Sequence, residues 1–153
     1  MTIDFQALFA SYVETKATEP RLHPLRVTVL GGGSFGTAMA NLAVRNGCDA
    51  MIWIRDEYIA QEINRTQINS RYLPDFTLEK GLKAEHDLQK AVQNRDLILV
   101  AIPSHSFRSV LKQIAPFISS QVIISLTKGM EADSFKLMSD IIREELPEVA
   151  YGV

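Results

Sequence analysis

Three glycines, Gly31, Gly33 and Gly36, separate the β-branched run Val27-Thr28-Val29-Leu30 from the apolar helix start Thr37-Ala38-Met39-Ala40. Their G-x-G-x-x-G spacing suits anion capture. Gly31 lets the chain turn sharply out of a strand, Gly33 removes the side chain that would hold backbone away from phosphate, and Gly36 lets a helix pack closely on that strand. The helix N-terminus adds unpaired N–H groups and about half a positive charge. The group such a turn receives is the pyrophosphate of a dinucleotide. A glycine turn can also merely reverse a chain, and here the flanking strand and helix favour the binding reading.

Further chemistry sits where later apolar runs end. Ile52-Trp53-Ile54 runs into Arg55-Asp56, about 20 residues past the turn, where the adenosine ribose is met. Arg55 suits a 2′-phosphate, whereas Asp56 could accept hydrogen bonds from a free ribose, so both NADP and NAD stay open. An exposed Arg-Asp pair opening the next helix would look the same. Ile102-Pro103-Ser104-His105 places a histidine in the first turn of a helix, a position more often solvated than catalytic. Leu126-Thr127-Lys128-Gly129 delivers a lysine that could hold an anionic or carbonyl group. There is no G-x-x-x-x-G-K-[ST] and no H-E-x-x-H, which argues against a P-loop phosphotransferase and a zinc peptidase. A turn holding S-adenosylmethionine would explain neither Arg55 nor Lys128.

The elements that must position these residues alternate. Strands are expected over residues 26–30, 50–54, 82–85, 96–102 and 121–126, with a sixth beginning near Ala150. The helix after the glycine turn is expected to bury Phe35, Ala38, Met39, Leu42 and Ala43 and to close at Gly47. Phe107, Val110, Leu111 and Ile114 form a second stripe stopped by Pro116, and Phe135, Met138, Ile141 and Ile142 a third stopped by Pro147. Apolar strands joined by helices imply a parallel sheet covered on both faces. The expected class is α/β, a doubly wound, mostly parallel, Rossmann-like sheet over residues 25–153. Residues 1–24 form an N-terminal extension: Phe5, Leu8, Phe9, Tyr12 and Val13 recur at helical spacing before a Pro-containing linker. Asp4 and Glu14 flank that stripe and speak against a transit peptide, leaving a helix packed on its own domain or on a partner.

Bulk properties narrow the classes. The 153 residues are 46% apolar, and 16 basic against 18 acidic side chains leave a net charge of -2, so nothing electrostatic favours nucleic acid or an anionic membrane. The apolar runs are too short to span a bilayer. Cys48, the lone cysteine, excludes an internal disulfide and a cysteine zinc cluster and fits a cytoplasmic setting.

Taken together, Gly31-Gly32-Gly33-Ser34-Phe35-Gly36-Thr37-Ala38, Trp53-Ile54-Arg55, Tyr72-Leu73-Pro74, Val100-Ala101-Ile102-Pro103-Ser104-His105 and Ser125-Leu126-Thr127-Lys128-Gly129 stand in the order and spacing of bacterial NAD(P)-dependent glycerol-3-phosphate dehydrogenases, which the chain resembles from about Arg26 onward. The resemblance implies reversible hydride transfer between NADP or NAD and dihydroxyacetone phosphate or sn-glycerol 3-phosphate, for phospholipid synthesis. It implies cofactor contacts at Ser34, Phe35, Arg55 and Lys128, with Lys128 also touching substrate. It places the proton-accepting lysine in a helical domain after the sixth strand, so the 153 residues alone are expected to be inactive. Gly32 replaces the usual alanine and is expected to loosen the turn. A homodimer stays open, as do a stand-alone dinucleotide-binding module and a β-hydroxyacid or ketopantoate reductase.

Overall fold

A computed structural model describes residues 23–153, and the expected N-terminal helix lies outside the described residues. In chain order the elements are β1 (Arg26–Leu30), α1 (Ser34–Arg45), β2 (Asp49–Trp53), α2 (Glu57–Thr66), β3 (Ile68–Asn69), β4 (Leu73–Thr77), β5 (Lys83–Glu85), α3 (Leu88–Val92), β6 (Leu97–Val100), α4 (Ser104–Ile114), β7 (Val122–Ser125), α5 (Met138–Glu145) and β8 (Tyr151–Gly152). Six strands form one sheet in the order β5-β2-β1-β6-β7-β8, every neighbouring pair parallel. The chain winds outward from β1 to β5, then returns to β6 and winds the other way. Strand order therefore reverses between β1 and β6, the place beyond whose carboxyl ends open α/β sheets hold their ligands.

Strand side chains alternate between two cores. Val27, Val29, Ile52 and Leu99 pack with Ala40 of α1 and with Ala60 and Ile63 of α2 on one face. Leu30, Ile98, Val100 and Ile123 pack with Phe107, Leu111 and Ile114 of α4 and with Ile141 and Ile142 of α5 on the other. Burial on both faces explains the unbroken apolar strands. Phe107 is fully buried in this second core, and its truncation to alanine would cost about 3–5 kcal/mol.

Local polar groups set the ends of elements. Asp56 Oδ1 accepts from the N–H groups of Tyr58 and Ile59 at 3.0 and 3.4 Å, capping α2. After α1, Gly47 takes φ +81, its N–H donates to Val44 O, and the Cys48 N–H donates to Ala43 O, the paired bonds of a Schellman ending. Asn64 of α2 donates to Ala84 O and accepts from Ala84 N–H, both at 2.8 Å, and so occupies the open edge of β5. At the amino ends of the strands, Arg26 meets Asp96 through Nη2 at 2.7 Å and Nε at 3.2 Å. That guanidinium holds the Asp96 carboxyl down at about 2.

Two sequence expectations need correction. α1 buries Gly36, Thr37, Ala40 and Asn41, whereas Phe35, Ala38 and Leu42 are exposed and Met39 and Ala43 only partly covered. The helix must approach the end of β1 through its smallest residue, Gly36, and that rotation turns the bulky stripe outward. Phe135 does not belong to the last helix: it has φ +56 and is 76% exposed, and α5 begins three residues later at Met138. The Asp140 carboxylate accepts from the Leu137 N–H there and sets the start. The remaining differences are additions, the helices α2 and α3 and the hairpin β3–β4.

Candidate functional site

The four glycines of the turn differ sharply in what surrounds them. Gly31 has φ +124, and a Cβ there would lie 2.3 Å from Ala101 O. A Cβ at Gly36 would lie 2.0 Å from Gly31 O, so the helix rests directly on the backbone that leaves β1. At Gly32 a Cβ would come within 2.5 Å of Ile54 Cγ1. Ile54, itself buried, fills the space that an alanine would take. Gly33 alone has nothing within 4 Å of its would-be Cβ. Gly31 and Gly36 are required by backbone atoms of the protein itself, Gly32 is crowded by one side chain, and Gly33 faces open space.

That open side is also where unspent hydrogen-bond donors collect. The first bond within α1 is Thr37 N–H to Gly33 O at 2.9 Å, which leaves the N–H groups of Ser34, Phe35 and Gly36 without carbonyls from their own helix. Gly33 supplies no capping side chain and the first turn contains no acidic residue. The positive end of the helix dipole is thus unneutralised beside the one glycine with room in front of it. Such a cradle fits a pyrophosphate.

A second layer, missing from the sequence reading as an element, braces the turn. The hairpin β3–β4 brings Asn69, fully buried, against it, where the side-chain amide donates to Gly32 O at 3.0 Å and to the Thr37 hydroxyl at 2.9 Å. Asn69 Oδ1 is buried without a partner among the described residues. Ser34 Oγ donates to Tyr72 O at 3.1 Å, so the Tyr72-Leu73-Pro74 segment is tied to the start of α1. The signal in the sequence was that short motif itself, one of those that carry the family resemblance.

The other candidates line the same crest. Arg55 is exposed directly after β2, with Asp56 beside it committed through Oδ1 to the cap of α2. Phe35 is 57% exposed on the first turn of α1. Lys128 is exposed after β7, and its neighbour Thr127 donates through Oγ1 to Ile102 O at 2.9 Å and lies 3.1 Å from Val100 O. His105 is exposed on the first turn of α4. The fold therefore gathers Gly33, Ser34, Phe35, Arg55 and Lys128 at the carboxyl ends of neighbouring strands, with the glycine turn at the reversal point.

Known proteins are similar to this chain in sequence and fold. The family model for the N-terminus of NAD-dependent glycerol-3-phosphate dehydrogenase matches residues 26–153. A glycerol-3-phosphate dehydrogenase [NAD(P)+] of Acinetobacter baumannii is 69% identical over 145 residues, covering 95% of this chain and 40% of that protein. The Acinetobacter baylyi protein of the same description is 72% identical over 129 residues, covering 84% of this chain and 36% of its own length. Among solved structures, glycerol-3-phosphate dehydrogenase from Coxiella burnetii superposes with a TM-score of 0.77 at 32% identity, over 86% of this chain and 40% of that one. A ketopantoate reductase from Ralstonia eutropha reaches a TM-score of 0.66 at 23% identity, over 83% of this chain and 40% of that one, a likeness of fold alone. The chain spans about two fifths of the length of its curated relatives. No helix among the described residues is long and apolar enough to cross a membrane.

Proposed function

The chain belongs to the family of NAD-dependent glycerol-3-phosphate dehydrogenase N-terminal regions, and from that premise we propose that residues 25–153 are the cofactor-binding domain of an enzyme interconverting dihydroxyacetone phosphate and sn-glycerol 3-phosphate. The observation that carries this reading is the empty space at Gly33 beside the uncapped start of α1. The N–H groups of Ser34, Phe35 and Gly36 hold the pyrophosphate. Arg55 meets the adenosine 2′-phosphate of NADP, and Asp56, which caps α2 through Oδ1 only, offers Oδ2 to the free ribose of NAD. The nicotinamide supplies or accepts the hydride. Lys128, exposed after β7, would face that end of the cofactor, its ammonium holding substrate oxygen and offsetting negative charge as an alkoxide develops.

The likeness to the Acinetobacter enzymes, which are described as acting with NAD(P)+, supports use of both cofactors. The lone Cys48 supports a reducing, cytoplasmic setting. Sedimentation of the purified chain decides whether it associates as a homodimer. The decisive experiment is titration of the chain with NADPH and NADH, following cofactor fluorescence. Saturable binding of both is expected. Binding of neither would remove the basis of the proposal.

A further inference from the structure

Lys128 sits in a short span of chain between two anchors of different kinds. On the β7 side, the Leu126 N–H donates to Val100 O at 2.9 Å and the Thr127 hydroxyl reaches the carbonyls at the end of β6. On the far side, Glu131 meets Arg108 of α4 as a fork, Nε to Oε1 at 2.7 Å and Nη2 to Oε2 at 2.8 Å. The remaining nitrogen, Nη1, donates to Glu144 Oε2 at 2.8 Å and Glu145 Oε1 at 2.5 Å on α5. Ser134 and Lys136 add hydrogen bonds to Glu131 and Glu144. The loop closes on itself through Glu131 N–H to Lys136 O and Phe135 N–H to Glu131 O, both at 2.9 Å. Only residues 128–130 lie between the anchors, and Gly129 turns the chain there at φ +94.

A partly exposed ion pair adds little stability by itself, but a bidentate arginine–carboxylate fork fixes orientation. Here the fork ends three residues from Lys128. We propose that Arg108 is a positioning residue: through Glu131 it sets the lysine loop, and with it the place of the Lys128 ammonium relative to the glycine turn. This rests on the reading of Lys128 as a cofactor contact. The guanidinium keeps the Glu131 carboxyl at about 2, so the fork is fully charged at neutral pH.

A double-mutant cycle on NADPH affinity of the chain tests the inference. Arg108→Gln is expected to weaken binding about 3- to 10-fold in the parent and to change it less than about 2-fold in a Lys128→Ala background, as coupled residues do. Equal losses in the two backgrounds, or none in the parent, would show that Arg108 only staples α4 to α5. Because Arg108→Gln leaves three carboxylates facing one another, Glu131→Gln is the second variant: it opens the fork while Glu144 and Glu145 retain Arg108. The same dependence on Lys128 is expected of it, and additivity would overturn the proposal. If Lys128→Ala weakens NADPH and the cycles are additive, positioning fails alone. If Lys128→Ala leaves affinity unchanged, the assignment of Lys128 to the cofactor fails and the role of Arg108 falls with it.

Discussion

The two loops on either side of the strand-order reversal are built on different principles. The glycine turn between β1 and α1 is held mainly by contact: backbone lies against backbone at Gly31 and Gly36, Ile54 fills the space beside Gly32, and Asn69 adds two uncharged hydrogen bonds. The lysine loop between β7 and α5 is held by charge and hydrogen bonds, from Thr127 at one end to the Arg108–Glu131 fork at the other. Contact makes a site that one methyl group can break and that salt or pH hardly touches. Charge makes a site tolerant of methyl groups and open to titration. In the proposed function the first receives the pyrophosphate and the second carries the cation that meets the substrate.

Substitution of glycines gives the sharpest way to break this contrast. Gly36→Ala should destabilise the chain by about 3 kcal/mol or more, because its methyl would lie 2.0 Å from a backbone oxygen that cannot rotate away. A glycine inside a helix ordinarily gains about 1 kcal/mol on becoming alanine, so even the sign decides the matter in a denaturant titration. Gly33→Val, with nothing within 4 Å of the new Cβ, should leave the melting temperature within about 5 °C. Its NADPH affinity should nevertheless fall at least about 100-fold, the steric cost now falling on the ligand. Retained affinity in a folded Gly33→Val protein would make the turn purely structural.

Arg55→Ala should weaken NADPH binding about 10- to 100-fold, the worth of a charge-assisted hydrogen bond, and NADH only a few-fold. Equal losses would place the arginine on the adenine, or on the end of β2, instead of the 2′-phosphate. In the lysine loop, Gly129→Ala meets no neighbouring atom within 4 Å and should cost only about 1 kcal/mol, from its φ of +94. A loss as large as that of Gly36→Ala would mean that the loop too is held by packing.

The smallest expected effect is a local one in acid. Glu131, with its carboxyl held at about 2, contributes stability that is complete above the ordinary carboxylate value and is lost as pH falls from about 4 through about 2. Amide exchange should therefore quicken at residues 131–137 in that window before it does at residues 31–37. Asp96, also held at about 2 by Arg26, titrates in the same range and lowers overall stability. Melting temperature alone would not separate the two, and residue-level exchange does. Simultaneous loss of protection in both segments would erase the difference between them.

Much of this architecture could be read from residue types and their spacing. The parallel strands, the helix carrying Phe107, Val110, Leu111 and Ile114, the closure of α1 at Gly47 and the glycine turn between strand and helix follow from period, propensity and backbone freedom, each a property of a few neighbouring residues. Tertiary contact decided the rest. The buried face of α1 follows from the need to bring Gly36 onto Gly31 O, against the hydrophobic pattern of that helix. Phe135 lies outside α5 because Asp140 starts that helix later. Asn69 reaches Gly32 O from 37 residues away, and Arg108 reaches Glu131 from 23. A sequence displays periodicity and local conformational freedom, but which polar side chain meets which backbone group across the sheet depends on distances that exist only once the layers have packed.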